Sequence, residues 1–192
     1  MLYWLVNIKI LFFMRKLFIG LVACILAGSL HGQIFNTGQT LRPGNFSLGL
    51  NPVFYDDDLG LFLHGGIGIK SGIDLGLRYG VLDGEDYFGA DLEWRLVSGK
   101  PSVSLMTGGH VLYNFGLDFM LNVSFPLRSD THLYSGLDSD IIFGDNDTHF
   151  LLWLPIGLEL KLRKSVGFIL EGEIPLTDAA YGIFGGGVAF YF

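Results

Sequence analysis

The stretch HFLLWLPIGLELKL, residues 149 to 162, alternates with a period of two. Phe150, Leu152, Leu154, Ile156, Leu158, Leu160 and Leu162 fall on one face, and Gly157, Glu159 and Lys161 on the other. A helix repeats every 3.6 residues and scatters such a set around its surface, whereas a strand turns every second side chain to the same face. The rhythm recurs in Ile73, Leu75, Leu77, Tyr79 and Val81 against Asp74, Gly76, Arg78 and Gly80. Carried along the chain, it predicts strands near residues 45–54, 59–70, 73–81, 87–96, 102–112, 115–126, 132–138, 149–162, 165–174 and 180–192. The links between them are too short for crossover helices, so neighbouring strands are antiparallel. Ten amphipathic strands in about 150 residues leave nothing for a second layer, and the economical solution is a sheet closed on itself. The expected fold is an all-β, antiparallel up-and-down barrel of about ten strands; eight would also fit.

Alternation alone does not say which face points out, because a soluble barrel hides its apolar face and a membrane barrel shows it to lipid. Three features decide for lipid. The apolar face carries no Asp, Glu, Lys or Arg in any of the ten strands. The other face mixes charges with Gly66, Gly68, Gly89, Gly108, Gly116, Gly167, Gly185 and Gly187. Glycine weakens a solvated strand but suits a narrow lumen whose walls approach closely. Aromatic residues of the apolar face gather at the strand ends, Phe54, Tyr79, Phe88, Tyr113, Phe115 and Phe150 at one end and Trp94, Phe125, Phe190 and Phe192 at the other. Such paired belts mark the two membrane interfaces.

Residues 1 to 32 hold no acidic residue, and their charges are Lys9, Arg15 and Lys16. From Met14, an alternative start, a basic pair leads into the apolar run Leu17 to Leu30 and then small residues. That run is too short to span a bilayer and reads as a secretory signal peptide ending near Gly32. The LVAC stretch, Leu21 to Cys24, has the form of a lipoprotein box, but the residues after Cys24 stay apolar where a mature lipoprotein turns polar. The expected organisation is therefore a signal peptide at 1–32, an N-terminal periplasmic segment at 33–44 and the barrel at 45–192. Cys24 is the single cysteine, so the exported part holds no disulfide. It keeps nine basic against nineteen acidic residues, which excludes a nucleic-acid binder.

An export signal, a cysteine-free antiparallel barrel and a last strand AAYGIFGGGVAFYF ending in Phe192 resemble a small bacterial outer-membrane β-barrel protein. The resemblance implies a Gram-negative outer-membrane location and contact with its lipids and lipopolysaccharide. It also implies handling by the barrel-assembly machinery, with Phe190 and Phe192 as the terminal assembly signal. The segment TLRPGNFSLGLNP after Gln33 is similar to proteins of the Bacteroidetes lineage.

With the N-terminus in the periplasm, the short links holding Lys70, Lys100, Arg128, Arg163 and Lys164 are periplasmic turns. The links with Asp56, Asp57 and Asp58, with Asp83, Glu85 and Asp86, with Asp140, Asp145 and Asp147, and with Asp178 form the outer rim. The acidic runs lack calcium-loop spacing and read as a solvated rim bridged to lipopolysaccharide by shared cations. No helix follows the glycine clusters, so they are wall residues rather than phosphate loops.

The polar face defines the candidate site, a lumen network of Lys70, Asp74, Arg78, Asp91, Glu93, Arg95, Asp118, Glu159, Lys161, Glu171 and Glu173. Charges in a low-dielectric interior must be paired or wetted. With Met106, Met120, Tyr134 and Trp153 also turned inward, a barrel this narrow is expected to be largely filled. The expected role is structural or that of a narrow pore, cation-preferring if open, with no cofactor, no metal site and no catalytic residues. His64, His110, His132 and His149 join the lumen network or lie at strand ends. The rival reading pairs His110 with Asp118 across the fifth and sixth strands in a lipid-modifying enzyme. A soluble exported ligand-binding barrel is the third.

Overall fold

The computed structural model describes residues 37–55, 58–82 and 84–192. The signal-peptide reading of 1–32 and the acids Asp56, Asp57 and Asp83 lie outside them. Ten strands follow in order: β1 Phe46–Tyr55, β2 Asp58–Lys70, β3 Ile73–Leu82, β4 Glu85–Val97, β5 Ser102–Val111, β6 Phe115–Pro126, β7 Thr131–Phe143, β8 Thr148–Arg163, β9 Val166–Pro175 and β10 Ile183–Tyr191. Each pairs antiparallel with its sequence neighbours, and β1 closes the ring on β10. Phe46 N donates to Phe192 O at 3.2 Å and Phe192 N to Phe46 O at 2.9 Å, so closure continues past the last strand residue. Closure removes both sheet edges and leaves no backbone ladder unpaired, which is the condition for placing strands in hydrocarbon. The end holding Phe46 and Phe192 is called the terminal end below, and the opposite one the far end.

The two faces of the wall are inverted relative to a water-soluble protein. Outward positions such as Leu61, Leu77, Leu121, Leu137, Ile156 and Ile174 are exposed. Inward positions are buried and carry Asp74, Arg78, Asp91, Glu93, Asp118, Glu159, Glu171 and Glu173. A soluble barrel would bury the first set, so the wall is that of a membrane-spanning barrel. Aromatic pairs sit at both rims: Tyr79 against Phe88 at 4.9 Å and Phe115 on Phe143 at 6.0 Å at the far end, and Phe46 stacked on Phe192 at 4.7 Å at the terminal end.

Glycine on the inner wall answers to large neighbours. Tyr134 on β7 is fully buried and faces Gly157 on β8, where a Cβ would run into its ring. The glycine leaves the phenol room to lie across the lumen.

The sequence pattern stops the seventh strand at 138 and assigns Asp140 to an outer loop; the structure corrects both. β7 runs to Phe143, paired in unbroken register with β6 from Pro126↔His132 to Phe115↔Phe143. Tyr134, Gly136, Asp138, Asp140 and Ile142 therefore all face the lumen, and the loop shrinks to 144–147. The last strand begins at Ile183 rather than 180. Just before it, the Tyr181 carbonyl accepts a 2.6 Å hydrogen bond from Trp153 Nε1.

Candidate functional site

The lumen is built in three layers. At the terminal end, the described part of the N-terminal segment lies across the mouth. Gly38 rests against Ser104, Asn122 and Ser124 on β5 and β6. Gln39 Oε1 accepts a 3.0 Å bond from Lys161 Nζ on β8, and Leu41 N donates to Asp74 Oδ2 on β3 at 2.5 Å. Gly44 N then donates to Gly68 O on β2 at 2.8 Å, and Gly68 N to Asn45 O at 2.9 Å. In a ring of ten strands, β5 and β6 stand opposite β1 and β10, so the segment bridges the opening from one wall to the other. A polar void of about 70 Å³ remains beneath it, bounded by Gln39, Leu41, Asp74, Arg78, Asp91 and Glu93 among others.

The middle layer is packed. Met106, Met120, Tyr134 and Trp153 are each at most 1% exposed and project from β5, β6, β7 and β8. Arg78 Nη2 meets Asp91 Oδ2 at 2.8 Å, and Ser104 Oγ donates to Glu93 Oε1 at 2.5 Å. Toward the terminal end, Glu159 accepts from Tyr191 OH at 3.0 Å, with Lys161 Nζ at 3.8 Å and His132 Nδ1 at 3.5 Å. Along the whole lumen nine carboxylates are buried, Asp138 and Asp140 joining Asp74, Asp91, Glu93, Asp118, Glu159, Glu171 and Glu173. Among the described residues, Arg78 is the one Lys or Arg buried to the same degree. The remaining negative charge has to be met by water, protons or cations.

The far end opens as an apolar cup. A cavity of about 200 Å³ is walled by Val53, Phe62, Leu82, Leu112, Leu151 and Trp153, and its polar lining includes His110 and Asp140. Below it, His110 Nδ1 lies 2.5 Å from Asp118 Oδ1, both side chains almost fully buried. Tyr87 stacks on the imidazole at 5.1 Å and 20°.

Of the eleven network residues named from sequence, Asp74, Arg78, Asp91, Glu93, Asp118, Glu159, Glu171 and Glu173 are buried in the lumen. Arg95 and Lys161 are half-buried, and Lys70, at the end of β2, is exposed. The reading missed Asp138 and Asp140, although Tyr134, Gly136, Asp138, Asp140 and Ile142 continue the period-two pattern that would have found them. Among the histidines, His64 bonds Asn51 Nδ2 at 3.0 Å inside the lumen, while His149 is exposed beside Asp147 at 3.0 Å. Phe190 and Phe192 are exposed on the outer surface of the terminal end.

Ten strands, a closed ring and an apolar outer wall decide the fold. This is the fold of a small bacterial outer-membrane β-barrel. A KdgM porin solved in complex with disordered oligogalacturonate aligns with a TM-score of 0.51 at 12% identity, covering 76% of this chain and 99% of that one. The Acinetobacter baumannii outer membrane protein Omp33 aligns at 0.45 and 8% identity, over 78% and 98% of the two chains. The N-terminal β-barrel domain of Pseudomonas aeruginosa OprF aligns at 0.41 and 13%, over 79% and 100%. No protein-family model and no curated protein matches the chain. At these identities the likeness concerns the fold alone.

Proposed function

We propose that the protein resides in the bacterial outer membrane as a structural or narrow-pore barrel whose lumen is closed at the terminal end by its own N-terminal segment. The observation that carries this reading is the bridge from Gly38 through Gln39 and Leu41 to Gly44, which ties β5, β6, β8, β3 and β2 together across the mouth. Met106, Met120, Tyr134 and Trp153 fill the layer above it. In planar bilayers the purified protein is expected to carry little or no steady current. Water finding a path would meet nine carboxylates and few bases, so that path would prefer cations. Changing Glu171 and Glu173 together to Gln leaves a closed barrel silent and lowers the cation preference of an open one. Wide, anion-selective conductance from the parent contradicts the proposal.

An even number of strands puts the start of β1 and the end of β10 on one side, which biogenesis assigns to the periplasm. Lys100 and Arg128 then lie in periplasmic turns, and Asp145 lies at the cell surface in the loop after β7. A cysteine at 145 is expected to react with an impermeant thiol reagent on intact cells, and cysteines at 100 and 128 to stay unlabelled; the reverse pattern would invert the orientation. In this reading the acidic far rim meets lipopolysaccharide through shared cations, and Phe190 and Phe192 engage the assembly machinery.

A further inference from the structure

We propose that His110, Asp118 and Asp140 form a binding site for one divalent transition-metal ion, of the zinc or cobalt kind, at the foot of the far-end cup. One ligand atom from each residue lies within 4.8 Å of the others, and all three residues are buried. An ion bound at about 2.0 to 2.2 Å from each donor sets the donors about 3 to 4 Å apart, so the wider spacings close slightly while His110 Nδ1 and Asp118 Oδ1, now 2.5 Å apart, exchange their direct contact for the ion. The three come from adjacent wall strands, His110 from β5, Asp118 from β6 and Asp140 from β7, and Asp118 and Asp140 are direct register partners. Rigid strands therefore fix their spacing.

A second observation points to a ligand. Asp140 Oδ1 is buried with no hydrogen-bond donor from another residue, the carboxyl of Asp118 standing beside it, and Asp140 lines the cavity. Burying an acceptor unpaired is costly, and a cation in the cup's floor would satisfy it. The imidazole is already held for the task. Tyr87 stacks on one side of it, and Gly116 opposite leaves room where a Cβ would press on its Cε1 and Nε2. The surplus of lumen carboxylate over Arg78 favours any added positive charge in this layer.

Donor chemistry selects the metal. Calcium and magnesium take oxygen ligands and more of them, whereas one imidazole with two carboxylates suits zinc, cobalt and their neighbours. Three protein donors leave at least one coordination position open, as in metal sites that bind an exchangeable ligand. Because His110 and Asp140 line the cup, that position faces the apolar cavity and the far mouth. The aromatic and aliphatic walls limit water around it.

The test uses the full mature barrel, refolded and stripped with chelator, then titrated with Co2+ followed by its visible spectrum and with Zn2+ in competition. One ion per chain is expected. His110→Ala and Asp140→Asn should each weaken binding by about 100-fold or more, since even outer-shell partners of a metal are worth about 10- to 100-fold. His149→Ala, which removes the exposed histidine beside Asp147, should leave binding unchanged. Folding of each variant is checked by heat-modifiable mobility. Where a lumen variant does not fold, pulsed EPR of Cu2+ bound to the parent supplies an independent readout, in which imidazole nitrogen coupling is expected. A parent that binds no stoichiometric ion, folded His110→Ala and Asp140→Asn barrels that bind as well as the parent, or bound copper without nitrogen coupling each overturn the proposal.

Discussion

Arg78→Met is expected to cost about 3 to 5 kcal/mol of barrel stability, the range for removing one partner of a buried ion pair. Arg78 is 8% exposed, and its guanidinium sits 2.8 Å from Asp91. Its field also reaches Asp118 and Asp138, so its loss leaves more than one carboxylate uncompensated. Methionine keeps an apolar stem of similar reach, which confines the effect largely to charge. Adding Asp91→Asn should then recover part of the loss, because the second change removes one of the stranded charges. The pair is read as a double-mutant cycle by urea unfolding from lipid vesicles, with the folded fraction followed by electrophoretic mobility. If Arg78→Met stays within about 1 kcal/mol of the parent, the range of solvent-screened pairs, the lumen is wet enough to screen its charges. The filled-lumen reading would then be wrong.

How much of this was legible in the sequence depends on how locally each feature is encoded. The wall is written in period two because lipid demands an apolar side chain at every second position. On β8 the pattern runs unbroken from Phe150 to Leu162, and the observed strand, Thr148–Arg163, extends two residues beyond it at its start and one at its end. On β7 the outward row reads Leu133, Ser135, Leu137, Ser139, Ile141 and Phe143. Its two serines blur the apolar face just where Asp138 and Asp140 appear, so acids lining the lumen look like acids of a loop. The nearness of His110 and Asp118 is readable because a tight hairpin joins their strands; the arrival of Asp140 beside them needed the corrected end of β7. The segment across the terminal mouth has no period at all. Its ties link Leu41 to Asp74, 33 positions on, and Gln39 to Lys161, 122 positions on, and nothing local encodes such pairings.

Leu154→Arg should cost about 2 to 4 kcal/mol, because a guanidinium on the outer face near the bilayer midplane must leave water or deform the lipid around it. Leu154 lies near the middle of β8 and pairs with outward-facing Ile174 on β9, so no lumen water is within reach of an arginine placed there. The depth dependence separates this reading from simple loss of packing. Leu162, on the same face but next to the strand's terminal end and strongly exposed, should accept arginine at a cost of about 0 to 1 kcal/mol, since its charge can reach the interface. Gly157→Ala, on the opposite face, acts by a different route, by pressing on the buried ring of Tyr134. It should therefore be relieved by trimming Tyr134 to Leu, whereas no lumen change should rescue Leu154→Arg. Equal tolerance of arginine at 154 and 162, measured by reversible folding into vesicles, would mean that the leucine-rich face does not contact hydrocarbon. The assignment of inside and outside on which the lumen chemistry rests would then have to be exchanged.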